Sequence, residues 1–243
     1  MLFRSGKCQT GTLPLYIKGS ALHQHYVDSD DLNVTSAGGG LEGEVRLSPV
    51  DLLRPEAVIE HLWISGDSLG TAYHLAATWE HRWKPQWQTD LSLRYAYKDY
   101  SGNEYEIIKG DHFEAALKSS HTFNHLPTLS NIHLLGVYFR DTADKDYLSY
   151  HGGRVVIDVG LELPFRIFQT LGFGYERRDY LDTDPGYEKT RKDDRMEIFV
   201  TFMRPIFRHV FVSLGGSLLR NESSIDDYDF TQGTVHGGLV LIF

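Results

Sequence analysis

The sequence predicts an all-β fold, a closed antiparallel up-and-down transmembrane β-barrel of about twelve strands. Three observations predict it. Apolar residues recur at every second position in one segment after another, the period of a strand. The segments run to about ten residues or slightly more, the length with which a tilted strand crosses a bilayer. Their connections alternate between short and long, as in barrels with tight turns on one side and extended loops on the other.

Taken in order, residues 1–12, "MLFRSGKCQTGT", carry basic residues but no apolar core of the length a secretory signal requires, and are expected to be unstructured. An export signal, if there is one, then lies upstream. The barrel is expected over 13–243, with strands centred near residues 19, 40, 60, 77, 93, 117, 136, 157, 173, 199, 215 and 237. In the first two, "SAGGGLEGE" lies inside a strand, where its glycines relieve curvature. The third, "EAVIEHLWIS", fits either phase. In "YHLAATWEHRW", Tyr73, Leu75, Ala77, Trp79 and Trp83 oppose His74, Thr78, Glu80 and Arg82. In "WQTDLSLRYAYK", Trp87, Leu91, Leu93, Tyr95 and Tyr97 oppose Gln88, Asp90, Ser92, Arg94 and Lys98. "GGRVVIDVGLEL" sets Val155, Ile157, Val159 and Leu161 against Arg154, Val156, Asp158 and Glu162. "RMEIFVTFM" sets Met196, Ile198, Val200 and Phe202 against Glu197, Phe199, Thr201 and Met203. "HVFVSLGGSLL" and the terminal "GTVHGGLVLIF" repeat the design.

The short connections surround Pro85, Pro164 and Pro205. The long ones include "KDYSGNEYEIIKGD", "DTADKDY", "RDYLDTDPGYEKTRKDD" and "NESSIDDYD". Twelve strands place both chain ends on the short-turn side. Aromatic residues gather at segment ends, as in interfacial girdles: Trp83, Trp87, Phe123, Phe165, Phe168, Phe202 and Phe207 near short turns, Tyr97, Phe139, Tyr175 and Tyr180 near long loops. A soluble sandwich or lipocalin-like barrel also alternates, but does not call for such girdles.

No apolar run approaches the roughly 20 residues of a membrane-spanning helix. The net charge of -9, without a Lys/Arg block, argues against nucleic acid as a partner. The single cysteine, Cys8, cannot form an internal disulfide.

The terminal Phe243 after "VHGGLVLIF", the run "GYERRDY" followed by "KTRKDDRMEIFVTFMRP", and "LLRNESSIDDYDF" resemble bacterial outer-membrane β-barrels. They resemble in particular the C-terminal barrel domains of tetratricopeptide-repeat outer-membrane proteins, and the latter two runs are similar to stretches of surface lipoprotein assembly modifiers. The likeness covers most of residues 69–243 as a pattern. It implies a bacterial outer-membrane location with N- and C-termini periplasmic. It also implies that Phe243 is an assembly signal read by the barrel-insertion machinery, and that the bilayer and lipopolysaccharide are partners. Helical repeats usually precede such barrels, and nothing here resembles them, so an upstream periplasmic domain is an expectation only for a longer parent chain.

With the apolar face on lipid, the other face lines the lumen. The lumen-lining set is Glu42, Glu44, Arg46, Glu80, Arg82, Asp90, Arg94, Lys98, Glu114, Lys118, Arg154, Asp158, Glu162, Glu176, Arg178 and Glu197, with Lys18 and Arg140. The signs balance, as in a salt-bridged filling. The expected function is a channel or export barrel for small solutes or envelope polysaccharide. The alternatives are an assembly or translocation barrel for surface lipoproteins and a barrel-wall lipid hydrolase.

No enzyme is expected. Ser119 and His121 share one strand face, as a nucleophile and base would, and Asn131 or His133 could approach from the next strand. Their order reverses the His-x-Ser of barrel lipases, and His121 lies near a short turn. His23 and His25 share a face without a third metal ligand. Asp182, Asp184, Asp226, Asp227 and Asp229 lack the spacing of a calcium loop and are expected to be solvated. No cofactor or metal is predicted.

Overall fold

The fold is an antiparallel meander seen in a computed structural model, which describes residues 2–10, 13–24, 33–100, 109–124, 126, 128–207 and 210–241. Its strands are β1 (Leu2–Thr10), β2 (Leu13–Gln24), β3 (Val34–Gly43), β4 (Val45–Arg46), β5 (Asp51–Ile64), β6 (Asp67–Lys84) and β7 (Trp87–Tyr100). They continue with β8 (Gly110–Thr122), β9 (Leu129–Asp141), β10 (Tyr150–Leu163), β11 (Ile167–Asp184), β12 (Lys189–Phe207), β13 (Val210–Ser223) and β14 (Phe230–Leu241). Each of the twelve expected centres falls inside one of these strands. Strand order follows chain order from β1 to β14, with β4 beside β5 off that path.

Two expectations change. Residues 2–10, read as unstructured, form β1 and pair antiparallel with β2 from Leu2↔Ser20 to Thr10↔Leu13. The order therefore holds thirteen strands, and an odd number puts residues 2 and 241 at opposite strand ends instead of both on the short-turn side. Closure is not among the described pairings, which join no first strand to a last.

Turn chemistry explains where strands stop. Ser65 and Gly66 both take positive φ (51° and 92°) between β5 and β6, the geometry of a two-residue hairpin whose twist matches the flanking strands. Asp184 closes the β11–β12 turn: its side chain accepts from the Gly186 N–H at 2.8 Å and its carbonyl from the Glu188 N–H at 2.9 Å. Pro55, which can donate no ladder bond, sits in β5 where β3 gives way to β4, just past the Glu42↔Glu56 pair.

The chain groups into two compact units, Met1–His81 with Asp90–Ala115 and Phe139–Tyr150, and Arg82–Thr89 with Ala116–Tyr138 and His151–Phe243. In each, many large apolar side chains are exposed, while polar and charged groups are buried beside a few apolar ones, Leu69 and Phe139 in the first and Val137 and Ile225 in the second. In the first unit Leu41, Ile59, Leu75 and Leu93 are exposed, Leu75 at 58%, whereas Ser36, Glu42 and Asp141 are buried. In the second, Leu117, Ile157, Ile198, Leu214 and Leu218 are exposed, Ile198 at 56%, whereas Asp193 and Asn221 are fully buried. A contiguous exposed apolar surface of this extent calls for a non-aqueous neighbour. Among the described residues no helix is long and apolar enough to cross a membrane.

Large side chains on the polar face lie over glycines of the adjacent strand. Phe199 is directly opposite Gly172, and a Cβ at Gly172 would collide with its ring. This aromatic cover over a strand glycine fills the gap a missing side chain leaves.

Candidate functional site

The polar face carries the charged residues, and the sheet register brings them together in clusters. In the first unit, Lys18 on β2 bonds Glu56 on β5 at 2.8 Å and also pairs with Glu42 on β3. Glu42 and Glu56 are themselves cross-strand partners, so one ammonium stands between two carboxylates. Arg54 bridges Glu80, and Glu44 at 3.4 Å, while Glu44 also accepts the Tyr16 hydroxyl at 3.1 Å. Near the long-loop ends Asp141 accepts from Lys98 at 2.5 Å and faces His112 at 3.0 Å, and His112 lies 3.9 Å from Glu114.

In the second unit His133 Nδ1 lies 2.8 Å from Asp158. Glu176 on β11 gathers three guanidinium groups: Arg178 at 2.6 Å, Arg195 at 3.8 Å and Arg154 at 3.9 Å. Half-buried or buried, the groups around Lys18, Arg54, Asp141 and Glu176 are held by more than one partner, which an isolated surface ion pair lacks.

Of the sixteen residues expected on this face, Glu42, Glu44, Glu80, Lys98, Glu114, Arg154, Asp158, Glu176 and Arg178 enter the clusters. Arg46, Arg82, Arg94 and Glu162 are exposed, and Asp90, Lys118 and Glu197 are half-buried. Lys18 is placed as expected. Arg140 is not: it is exposed and alternates with buried Phe139 and Asp141, so it shares the apolar face with Tyr138. The same phase buries Phe139 against Tyr150, ring centroids 6.0 Å apart, instead of leaving it in a girdle.

The sequence missed Arg54, Glu56 and Glu60, because the β5 segment reads in either phase; pairing with β6 decides it, through Ile59↔Tyr73 and Ala57↔Leu75. His74, 3.7 Å from Glu60, was legible from alternation but not singled out, and His133, considered beside Ser119 and His121, faces Asp158 instead. Phe243 and His25 lie outside the described residues.

The apolar face ends in the expected aromatics at the short turns. Trp83 and Trp87 flank the β6–β7 turn with centroids 6.3 Å apart. The Trp83 indole donates to Thr89 and the Trp87 indole to Ser119, each at 3.0 Å. His121 packs edge-on against Phe123, centroids 4.6 Å apart. The hydroxyl and imidazole that a barrel-wall hydrolase would use are thus each engaged by an aromatic neighbour.

At the opposite end, the long polar segment "RDYLDTDPGYEKTRKDD" is not an irregular loop, although Asp182 and most residues of its tip are exposed, as are Asp226, Asp227 and Asp229. β11 and β12 run through it to a tight turn, and its side chains form a cap with the β13–β14 connection. Arg191 donates to the fully buried Asp193 at 2.9 and 2.6 Å and stacks on Tyr228, 3.6 Å from its centroid, and on Tyr180 at 4.6 Å. Tyr180, expected in the girdle, is buried beneath it. Asn221 donates to the Tyr228 carbonyl at 2.7 Å and accepts from Arg195 at 3.0 Å. The acidic residues of these connections are hydrogen-bond acceptors: Asp184 for Tyr228 at 3.0 Å, Asp227 for Tyr187 at 2.6 Å, Asp229 for the Ser223 N–H at 2.5 Å. Among the described residues no group of three or more His, Cys, Asp or Glu side chains could hold a metal ion.

A family model described as surface lipoprotein assembly modifier matches residues 14–210. No curated protein matches the chain.

Proposed function

Because the chain belongs to the surface lipoprotein assembly modifier family, we propose that it acts in the bacterial outer membrane as a closed β-barrel that assists the placement of lipoproteins on the cell surface. The family match, over most of the chain, carries this reading. The exposed apolar face with its tryptophan ends suits a lipid neighbour. The polar face then lines the lumen, with the residues of the ion-pair clusters as its filling. The short turns and the end of β14 face the periplasm, the Arg191–Tyr228 cap faces outward, and Phe243 serves the insertion machinery.

The passive channel or export barrel expected from sequence gains nothing from the family. The role is non-enzymatic, so Ser119→Ala leaves it intact.

The test is deletion of the gene in its native host, followed by labelling of surface lipoproteins with a membrane-impermeant reagent. The expected result is a several-fold fall in labelled lipoprotein at unchanged total lipoprotein, restored by the intact gene and by the Ser119→Ala gene. Unchanged labelling would overturn the reading, and discrete conductance steps of the refolded protein in planar bilayers would return the channel.

A further inference from the structure

We infer that the polar face of β10–β13 holds a binding site for a phosphate-bearing ligand, built from Arg154, Arg178 and Arg195. A cavity of about 210 Å³ opens there, with these three arginines, Glu176, Glu197 and Gly174 in its wall. The Glu176 carboxylate cannot saturate the donors around it. A guanidinium presents five N–H groups, so Arg154 and Arg195 bring ten, against the roughly four lone-pair sites of one carboxylate that already accepts from Arg178. Only Arg178 is at hydrogen-bond distance from it; Arg195 and Arg154 stand off at 3.8 and 3.9 Å.

One guanidinium in the cavity wall is held in place by a neighbour. Arg195 spends its Nε on Asn221, which fixes the plane of its fork while its terminal nitrogens point toward Glu176. Gly174 keeps the wall open: a Cβ there would meet nothing closer than 3.6 Å. The cavity wall itself carries a net positive charge. Asp193 is clamped by Arg191 and buried, Asp158 faces His133, and Glu176 and Glu197 leave the three arginines one charge in excess. Planar guanidinium forks bind phosphate oxygens in pairs, which suits a tetrahedral group offering three or more acceptors.

This site goes beyond the assembly reading and does not depend on it. The probe is inorganic phosphate added to the refolded protein in detergent, against chloride at the same ionic strength, followed by phosphorus NMR line width. Electrophoretic heat-modifiability confirms that each variant is folded. The intact protein is expected to broaden the phosphate line, Arg154→Gln to weaken the effect about tenfold or more, and Glu176→Gln, which removes the competing carboxylate, to strengthen it. A short-chain phosphatidic acid run beside inorganic phosphate separates a lipid headgroup from the free ion by which binds more tightly. No broadening, or equal broadening by both variants and the intact protein, would overturn the site.

Discussion

The hydroxyl of Tyr187, in the turn between β11 and β12, donates to Asp227 on the β13–β14 connection at 2.6 Å, and the reciprocal bond runs from Tyr228 to Asp184 at 3.0 Å. The two rings meet edge to face, centroids 5.8 Å apart. Two hairpin connections are thereby locked into one cap.

The hydrogen bond to Asp227 pushes the Tyr187 phenol up to about 12, because ionising it would set an oxyanion against a carboxylate. A group whose pKa is raised in the folded protein contributes fully below its ordinary value of 10.0 and loses that contribution as the pH climbs through about 12. Ultraviolet titration should therefore show one tyrosine ionising near pH 12 that is missing in Tyr187→Phe. Proteolysis between β11 and β12 should accelerate in that variant at neutral pH; equal rates would contradict the lock.

Ile198 tests the membrane directly. An exposed isoleucine replaced by lysine in a water-soluble protein changes stability by about 0.5 kcal/mol or less. In the middle of a lipid-facing barrel wall the same change costs about 2–4 kcal/mol. Reversible urea unfolding of Ile198→Lys in liposomes should give the larger value, with Arg204→Lys, near the short turns on the same face, close to unchanged.

Lys18 separates Glu42 from Glu56. Its removal as Lys18→Met should cost about 1–3 kcal/mol, the worth of a charged hydrogen bond together with the repulsion it leaves between cross-strand carboxylates. Adding Glu56→Gln should recover most of that loss. A double variant as unstable as the single would mean that the lysine acts through packing alone.

Gly172 leaves the space that the Phe199 ring occupies. Gly172→Val should destabilise by about 1–3 kcal/mol through overpacking, and Phe199→Ala should relieve it. Additive losses in the double variant would show that ring and glycine do not compete.

Much of the fold was legible because period two is a local property: twelve segments alternate, and the structure puts a strand on each. The polar face was legible wherever phase was unambiguous, which is why Glu42, Glu80, Lys98, Arg154, Asp158 and Glu176 stand where alternation put them. β5 was not, since His61, Leu62 and Trp63 give apolar or amphipathic character to both phases, and pairing with β3 and β6 chose between them. β1 was missed because "LFRSGKCQT" has no apolar alternation; its pairing with β2 is made by backbone groups that any side chain permits.

By itself, then, the sequence determined the all-β class, the strand positions and which face each unambiguous residue takes, because side-chain alternation follows from backbone geometry within a single strand. Only the tertiary structure decided which charges meet and that a polar loop is an ordered cap. Cross-strand register sets those distances, and register is fixed by turns, bulges and neighbours far along the chain.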